Sequence, residues 1–146
     1  MNAVAAPAVV HVRRVIAAPP QLLSQAWLDA ASLSQWLRPF DTSHTDAKVD
    51  ARVGGHFALD MHTPGGVVEH RGEYVVIEPY TRLVFTWDSP HTDGASLVTV
   101  TFVPQGEKTE VNVLHEKLPA TKLEAHTGGW TSGLDKLDAF ACGARA

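Results

Sequence analysis

The stretch "EAHTGGWTSGLDKL", residues 124–137, decides the fold, because it combines a helical hydrophobic repeat with three glycines. Apolar residues recur at helical spacing and fall in one narrow stripe: Leu123, Trp130, Leu134, Leu137 and Ala141. The stripe predicts a long C-terminal helix that buries one face. Gly128, Gly129 and Gly133 would each destabilise a helix interior by roughly 1 kcal/mol relative to alanine. We therefore expect the helix to lie close against a sheet, with Gly133 beside the buried stripe, where a missing side chain permits the approach.

The region before this helix reads as a sheet, because from residue 46 the hydrophobic period changes from 3.6 to 2. The stretches "GGHFALDMHT", "VVEHRGEYVVIEP" and "RLVFTWD" each predict one strand. The longer "SLVTVTFVPQGEKTEVNVLHE" predicts a hairpin that turns at "PQGEK". Turn signals separate these strands with no helix between them, so we expect an antiparallel sheet.

The N-terminal part predicts one strand followed by two short helices. "VVHVRRVIAAPP" reads as a strand that ends at its two prolines, since proline cannot donate to a ladder. "PQLLSQAWLDA" and "SLSQWL" then show helical spacing. Ser32 and Gln35 have capping-box spacing at the start of the second helix, as do Thr121 and Glu124 before the C-terminal helix.

Length and composition limit the possible partners. The chain has 146 residues, and we predict one domain over residues 1–146, with residues 1–7 as a flexible tail. The net charge is −4 with no basic block, so we expect neither a nucleic-acid nor a membrane partner. Cys142 is the single cysteine. It cannot form an intrachain disulfide and suits a reducing compartment, so we predict a cytoplasmic protein.

Taken together, these segments resemble the SRPBCC superfamily, also called START-like or helix-grip. Within it they resemble the branch named after the activator-of-heat-shock-ATPase homologues. The stretches that carry the resemblance are "APPQLLSQAWLDAASLSQWL", "VGGHFALDM", "RGEYVVIEPYTRLVFTW", "LVTVTFVPQGEKTEVNVLHEKL" and "EAHTGGWTSGLDKLDAF".

The resemblance implies an α+β helix-grip fold. A curved antiparallel sheet of about six to seven strands would wrap around a long C-terminal helix, with two short helices after the first strand. Members of the superfamily bind lipids, hormones, polyketides or other apolar molecules, and some are cyclases or dehydratases. The co-chaperone that names the branch engages its chaperone through an additional N-terminal domain.

A cavity beside the C-terminal helix is the expected binding site in this fold. Aromatic and apolar side chains that face inward would form its walls, since small-molecule pockets are mostly apolar with a few polar groups. The predicted ligand-binding residues are Trp36, Phe40, Phe57, Leu59, Met61, Phe85, Trp87, His115, His126 and Trp130.

Two histidines are the candidate polar groups of this cavity. His115 shares strand parity with Val111 and Val113 and is expected on the inner face. His126 flanks the buried stripe of the last helix. Both could be hydrogen-bonded structural histidines, polar anchors for a ligand, or general acids and bases. Glu73 and Tyr74 are alternative polar contributors, and the pattern leaves open which of them faces inward, because that strand is apolar on both parities.

We predict no metal and no cofactor. His56, Asp60 and His62 share one face of a strand, but Cα atoms two residues apart are separated by ~6.6 Å and those four apart by ~13 Å. Only Asp60 and His62 could share an ion easily, and a zinc site needs three or four ligands.

The favoured hypothesis is a protein that binds a small hydrophobic or aromatic molecule as a carrier, a sensor or a sequestering protein, and is not an enzyme. One alternative is a cyclase, dehydratase or hydrolase on the same fold that uses His115. A second alternative is a module that interacts with a chaperone ATPase. The sequence leaves the oligomeric state open, a homodimer included.

Overall fold

The computed structural model describes residues 9–145, and the predicted tail, residues 1–7, lies outside them. Within the described residues, three α-helices and a short 3₁₀ helix combine with seven strands. The strands are β1 Val10–Ile16, β2 His44–Val49, β3 His56–Thr63, β4 Gly66–Glu78, β5 Arg82–Trp87, β6 Ser96–Gln105 and β7 Lys108–Glu116. The helices are α1 Pro20–Leu28, α2 Ala30–Trp36, the 3₁₀ helix Ala120–Lys122 and α3 Leu123–Arg145.

All neighbouring strands pair in the antiparallel sense, in the order β1-β7-β6-β5-β4-β3-β2. The sheet curls as a half-barrel around α3, which confirms the predicted α+β helix-grip fold. Strand β2, which no stretch of the sequence singled out, forms one edge and pairs with β3. Within residues 9–145 no helix has the length and apolar character needed to cross a membrane.

Helix α2 begins earlier than the sequence predicts, because its N-cap is Asp29 rather than Ser32. The Asp29 carboxylate accepts hydrogen bonds from the backbone N–H of Ser32 at 3.0 Å and from its hydroxyl at 2.7 Å. Aspartate is as effective an N-cap as serine, so it starts the helix at Ala30. Thr121 likewise lies inside the 3₁₀ helix Ala120–Lys122, which runs directly into α3.

Gly128, Gly129 and Gly133 of α3 face the segment after α2 rather than the sheet. A Cβ built on Gly133 would meet only Leu37 Cδ1, at an ordinary 3.7 Å, so the predicted close approach at Gly133 is wrong. A Cβ on Gly128 would lie 3.0 Å from Phe40 Cζ, and one on Gly129 would lie 3.8 Å from the same ring. The pair Gly128–Gly129 therefore leaves room for the Phe40 ring. The space needed by the Phe40 ring explains why α3 has glycine at these two positions.

A chain of hydrogen bonds attaches α3 to the sheet. Trp130 Nε1 donates to His115 Nδ1 at 3.0 Å, and His115 Nε2 lies 2.7 Å from Ser96 Oγ. Ser96 Oγ in turn donates to the carbonyl of Trp87 at 2.6 Å. All four residues are buried, so each of these polar atoms needs its partner.

The direction of this chain determines the tautomer of His115. A carbonyl can only accept, so the single Ser96 hydroxyl proton goes to Trp87. His115 Nε2 must then donate to Ser96 Oγ, while Nδ1 accepts from Trp130. His115 is therefore neutral with its proton on Nε2. A second proton on Nδ1 would face the indole N–H of Trp130, and burial lowers the pKa of His115 to about 3.

Two glycine substitutions test this packing in opposite directions. Gly133→Ala should raise the free energy of unfolding by up to about 1 kcal/mol, because the new methyl group has room beside Leu37 and the helix gains propensity. Gly72→Ala in β4 should lower it by about 3 kcal/mol or more, because its Cβ would overlap the Thr86 carbonyl and the Phe57 ring. Urea unfolding of both variants measures the difference. A neutral Gly72→Ala would contradict the packing of β4 described here.

Buried neutral histidines also predict acid sensitivity. Burial lowers the pKa of His70 to about 4, as it lowers the pKa of His115 to about 3. The unfolded chain binds protons at these residues below about pH 6.5 and the folded chain does not. Their contribution to the free energy of unfolding is therefore fully present above that pH. It is lost as the pH falls to about 4 for His70 and about 3 for His115. Each histidine should contribute a slope of up to about 1.4 kcal/mol per pH unit. Urea titrations at several pH values measure the slope. His70→Phe should reduce it by that amount, and a pH-independent stability would contradict the burial of both rings.

Candidate functional site

A cavity of about 410 Å³ opens between α3, the loop after α2, strands β3 and β4, and the loop after β5. It has an apolar floor and a polar rim. The lining residues are Leu37, Pro39, Phe40, Asp41, Thr42, Met61, Thr63, Pro64, Val68, His70, Trp87, His91, Lys122, Ala125, His126, Gly129 and Trp130. A cavity of this volume is large enough for a small organic ligand.

Trp87 and Trp130 form the aromatic floor. Their ring centroids lie 5.3 Å apart at 49°. Both residues belong to the hydrogen-bond chain that attaches α3 to the sheet, Trp130 through its indole N–H and Trp87 through its backbone carbonyl. Met61 on β3 is buried beside them. The floor of the cavity is therefore apolar.

His70 on β4 has a buried ring nitrogen without a hydrogen-bond partner, and the residue lines the cavity wall. His70 is 8% exposed, its ring lies 4.8 Å from that of Trp87, and the unpartnered atom among residues 9–145 is its Nδ1. Burial is the main reason that its pKa falls to about 4, and a backbone contact with Val68 offsets part of the effect. At neutral pH the ring is uncharged, so it can donate one hydrogen bond and accept another.

The rim adds two histidines and a lysine, from α3, the 3₁₀ helix before it and the loop after β5. His126 Nδ1 donates to the carbonyl of Lys122 at 2.8 Å, which leaves Nε2 as its acceptor nitrogen. Burial, more than the neighbouring His91 and Lys122, lowers the pKa of His126. His91 and Lys122 also line the opening. A ligand would thus meet hydrogen-bonding groups at the rim and apolar surface below it.

Phe40 covers part of the opening. The residue is 61% exposed, and its ring lies on the Gly128–Gly129 pair and lines the cavity. The backbone of Phe40 has a positive φ of 54°, which is uncommon for a residue with a side chain. Helix α3 holds this loop: Ser132 Oγ accepts from the Phe40 N–H at 2.9 Å, and Lys136 Nζ donates to the carbonyls of Arg38 and Phe40.

The structure divides the predicted ligand-binding residues into two groups of five. Phe40, Met61, Trp87, His126 and Trp130 line the cavity. Trp36, Phe57, Leu59, Phe85 and His115 are buried in the core behind it. Phe57, Leu59 and Phe85 surround a void of only about 10 Å³, and Trp36 donates its indole N–H to the Ala26 carbonyl at 2.9 Å. His115 has both ring nitrogens engaged and is 0% exposed, so no nitrogen is left for a ligand.

His70 is a wall residue that the sequence did not predict, although a signal was available. His70 shares the parity of Val68 on β4, but that strand is apolar on both parities and its inner face could not be chosen. The same ambiguity left Glu73 and Tyr74 open. Tyr74 is buried, which raises its pKa to about 12, and Glu73 is exposed. Tyr74 contacts the small void rather than the cavity.

Comparisons with known proteins agree with this architecture. The family model "Activator of Hsp90 ATPase homolog 1-like protein" matches residues 17–141. Protein CV1439 from Chromobacterium violaceum is 26% identical, with a TM-score of 0.82 over 92% of this chain and 96% of its own. CalU16 from Micromonospora echinospora is 25% identical, with a TM-score of 0.73 over 91% and 75%. PFC0360w, an HSP90 activator from Plasmodium falciparum, is 25% identical, with a TM-score of 0.73 over 90% and 94%. A comparison with curated protein sequences finds no match.

The matched range begins just after β1 and ends near the end of α3, so it includes every element that lines the cavity. The fold described above and the family match lead to the same assignment. The chain belongs to the Activator of Hsp90 ATPase homolog 1-like family of the SRPBCC superfamily.

Proposed function

We propose that this protein binds a small hydrophobic or aromatic molecule in the 410 Å³ cavity, with a polar group of the ligand hydrogen-bonded to His70. The observation that carries the proposal is the buried, unpartnered Nδ1 of His70 in the wall of an otherwise apolar cavity. The role would be that of a carrier, a sensor or a sequestering protein. The single cysteine supports a cytoplasmic location.

Energetics favour a ligand with one polar end. A buried polar atom without a hydrogen bond costs roughly 1–3 kcal/mol. A ligand hydroxyl or carboxyl group that reaches His70 removes this cost, and the aromatic floor of Trp87 and Trp130 takes the apolar part. The χ2 torsion of histidine is soft, so the ring can turn to present either nitrogen to the ligand.

The alternative of catalysis by His115 has weaker support. A general acid or base must come within hydrogen-bond reach of the substrate. His115 lies behind Trp130, donates to Ser96, accepts from Trp130 and does not line the cavity. Its pKa of about 3 also leaves it unprotonated at neutral pH.

A chaperone-ATPase-interacting module is the second alternative, and the likeness to the HSP90 activator from Plasmodium falciparum favours it. The outer face of the sheet mixes polar side chains with exposed valines, such as Val15 and Val103 on either side of Glu110. On that face Asn112 Oδ1 accepts from His11 Nε2, Asn112 Nδ2 donates to Glu110, and Gln105 also donates to Glu110. A pull-down with purified Hsp90-type chaperone would test this alternative separately from the cavity.

A cavity-filling substitution with a neighbouring control tests the proposed function. Val68 lines the cavity, whereas Val67 is exposed and does not line it. Val68→Phe should weaken binding of 2-naphthol by about tenfold or more, because the new ring occupies ligand space, and Val67→Phe should leave binding unchanged. Isothermal titration calorimetry measures both affinities. Equal binding by the wild type and Val68→Phe would contradict binding in this cavity.

The polar contact has its own test. The wild type should bind 2-naphthol more tightly than 2-methylnaphthalene, which has similar size and no polar group. His70→Phe should remove that preference, a change of about 3- to 10-fold for one net hydrogen bond. Calorimetry with both compounds gives the ratio. A preference that survives in His70→Phe would assign the polar contact to another residue, although the cavity would remain the binding site.

A further inference from the structure

Three potential metal ligands converge on the outer face of the β2–β3 hairpin. His44 lies directly opposite His62 in the strand register, and Asp46 follows two residues later on the same face of β2. The two imidazole rings stack at 3.9 Å and 15°, and Asp46 Oδ2 lies 2.8 Å from His62 Nε2. One ligand atom from each residue lies within 4.8 Å of the others.

Along a single strand the sequence offers a different set of ligands, His56, Asp60 and His62, from which we predict no metal site. The structure separates that set: His56 pairs with Glu73 at 3.4 Å, and Asp60 accepts from Arg71 at 2.9 Å. His62 instead meets two residues of the neighbouring strand. Directly opposite residues in an antiparallel pair have Cβ atoms about 5 Å apart, closer than same-face residues along one strand.

We propose that His44, Asp46 and His62 bind one divalent transition-metal ion of the Zn²⁺ type, with water completing the coordination. Two imidazoles and one carboxylate are the donor types that Zn²⁺ takes, and three protein ligands plus water form an open tetrahedral site. Bonds of about 2.0–2.1 Å place tetrahedral ligand atoms roughly 3.3 Å apart. The present separations need to close by about 1.5 Å at most, and rotations of the exposed His44 and Asp46 side chains towards the half-buried His62 supply that movement.

The donor set also argues against other ions. Ca²⁺ and Mg²⁺ prefer six or more oxygen ligands, and imidazole nitrogen does not suit them. The nearby cation Arg71 is paired with both Asp60 and Glu69, so its charge is balanced before a metal arrives. The site is therefore suited to a nitrogen-preferring ion.

The position of the site couples it to the edge of the sheet. Strand β2 pairs with β3 at the end of the strand order, so an ion held by both strands would fasten the edge. His62 lies between Met61 and Thr63, which line the ligand cavity from the opposite face of β3. Metal binding should therefore raise the thermal stability of the chain, as any ligand that binds only the folded state does.

The test uses untagged protein, because a histidine tag would bind the same ions. Calorimetric titration with ZnCl₂ should give one saturable site, and Zn²⁺ should raise the melting temperature. His62→Asn and Asp46→Asn should each weaken Zn²⁺ binding by more than about tenfold, since losing even an outer-shell partner costs roughly 10–100-fold.

His56→Asn is the matched control, because His56 lies on the same strand and the same outer face but outside the cluster. It should bind Zn²⁺ as the wild type does. Co²⁺ should give the visible absorption of a tetrahedral site in the wild type and in His56→Asn, and lose it in His62→Asn. Circular dichroism without metal confirms that each variant is folded. No saturable Zn²⁺ binding by the wild type, or equal binding by His62→Asn, would overturn the proposal.

Discussion

The hydrogen-bond chain from Trp130 through His115 and Ser96 to the carbonyl of Trp87 is the constraint on which the site depends. It joins α3 to β7, β6 and β5, and every group in it is buried. An unpaired polar atom in a low-dielectric interior is costly. These hydrogen bonds therefore favour the position and rotation of α3 at which all of them form. Trp87 and Trp130 are thereby held as the floor of the cavity.

Two buried histidines are both neutral at physiological pH but differ in their hydrogen-bond partners. Burial lowers the pKa of both His115 and His70, so both are neutral at physiological pH. His115 uses both of its nitrogens to connect α3 to the sheet, whereas His70 has a nitrogen without a partner in the cavity wall. The difference lies in hydrogen-bond partners rather than in pKa. The nitrogen without a partner belongs to the histidine in the cavity wall, where we propose that a ligand binds.

Much of the fold could be predicted from the sequence, because a hydrophobic period determines which face of a strand or helix is buried. Period 2 in β3 and β5 and the helical stripe of α3 predicted the inward residues correctly. Periodicity does not determine, however, whether an inward side chain fills the core or lines the cavity. Phe57 and Phe85 face inward as predicted and fill the core, while Met61, further along β3 from Phe57, reaches the cavity. Periodicity also does not predict contacts between distant segments, such as Phe40 on Gly128 or His44 opposite His62.

Long-range ¹H–¹⁵N correlation spectra of ¹⁵N-histidine-labelled protein, recorded with and without 2-naphthol, test the central claim most directly. They report which nitrogen of each ring carries the proton. His115 should be protonated at Nε2 in both spectra, and the ring nitrogens of His70 should shift when 2-naphthol binds. A His115 ring protonated at Nδ1, or a His115 ring that responds to 2-naphthol while His70 does not, would contradict the division between a structural and a ligand-binding histidine.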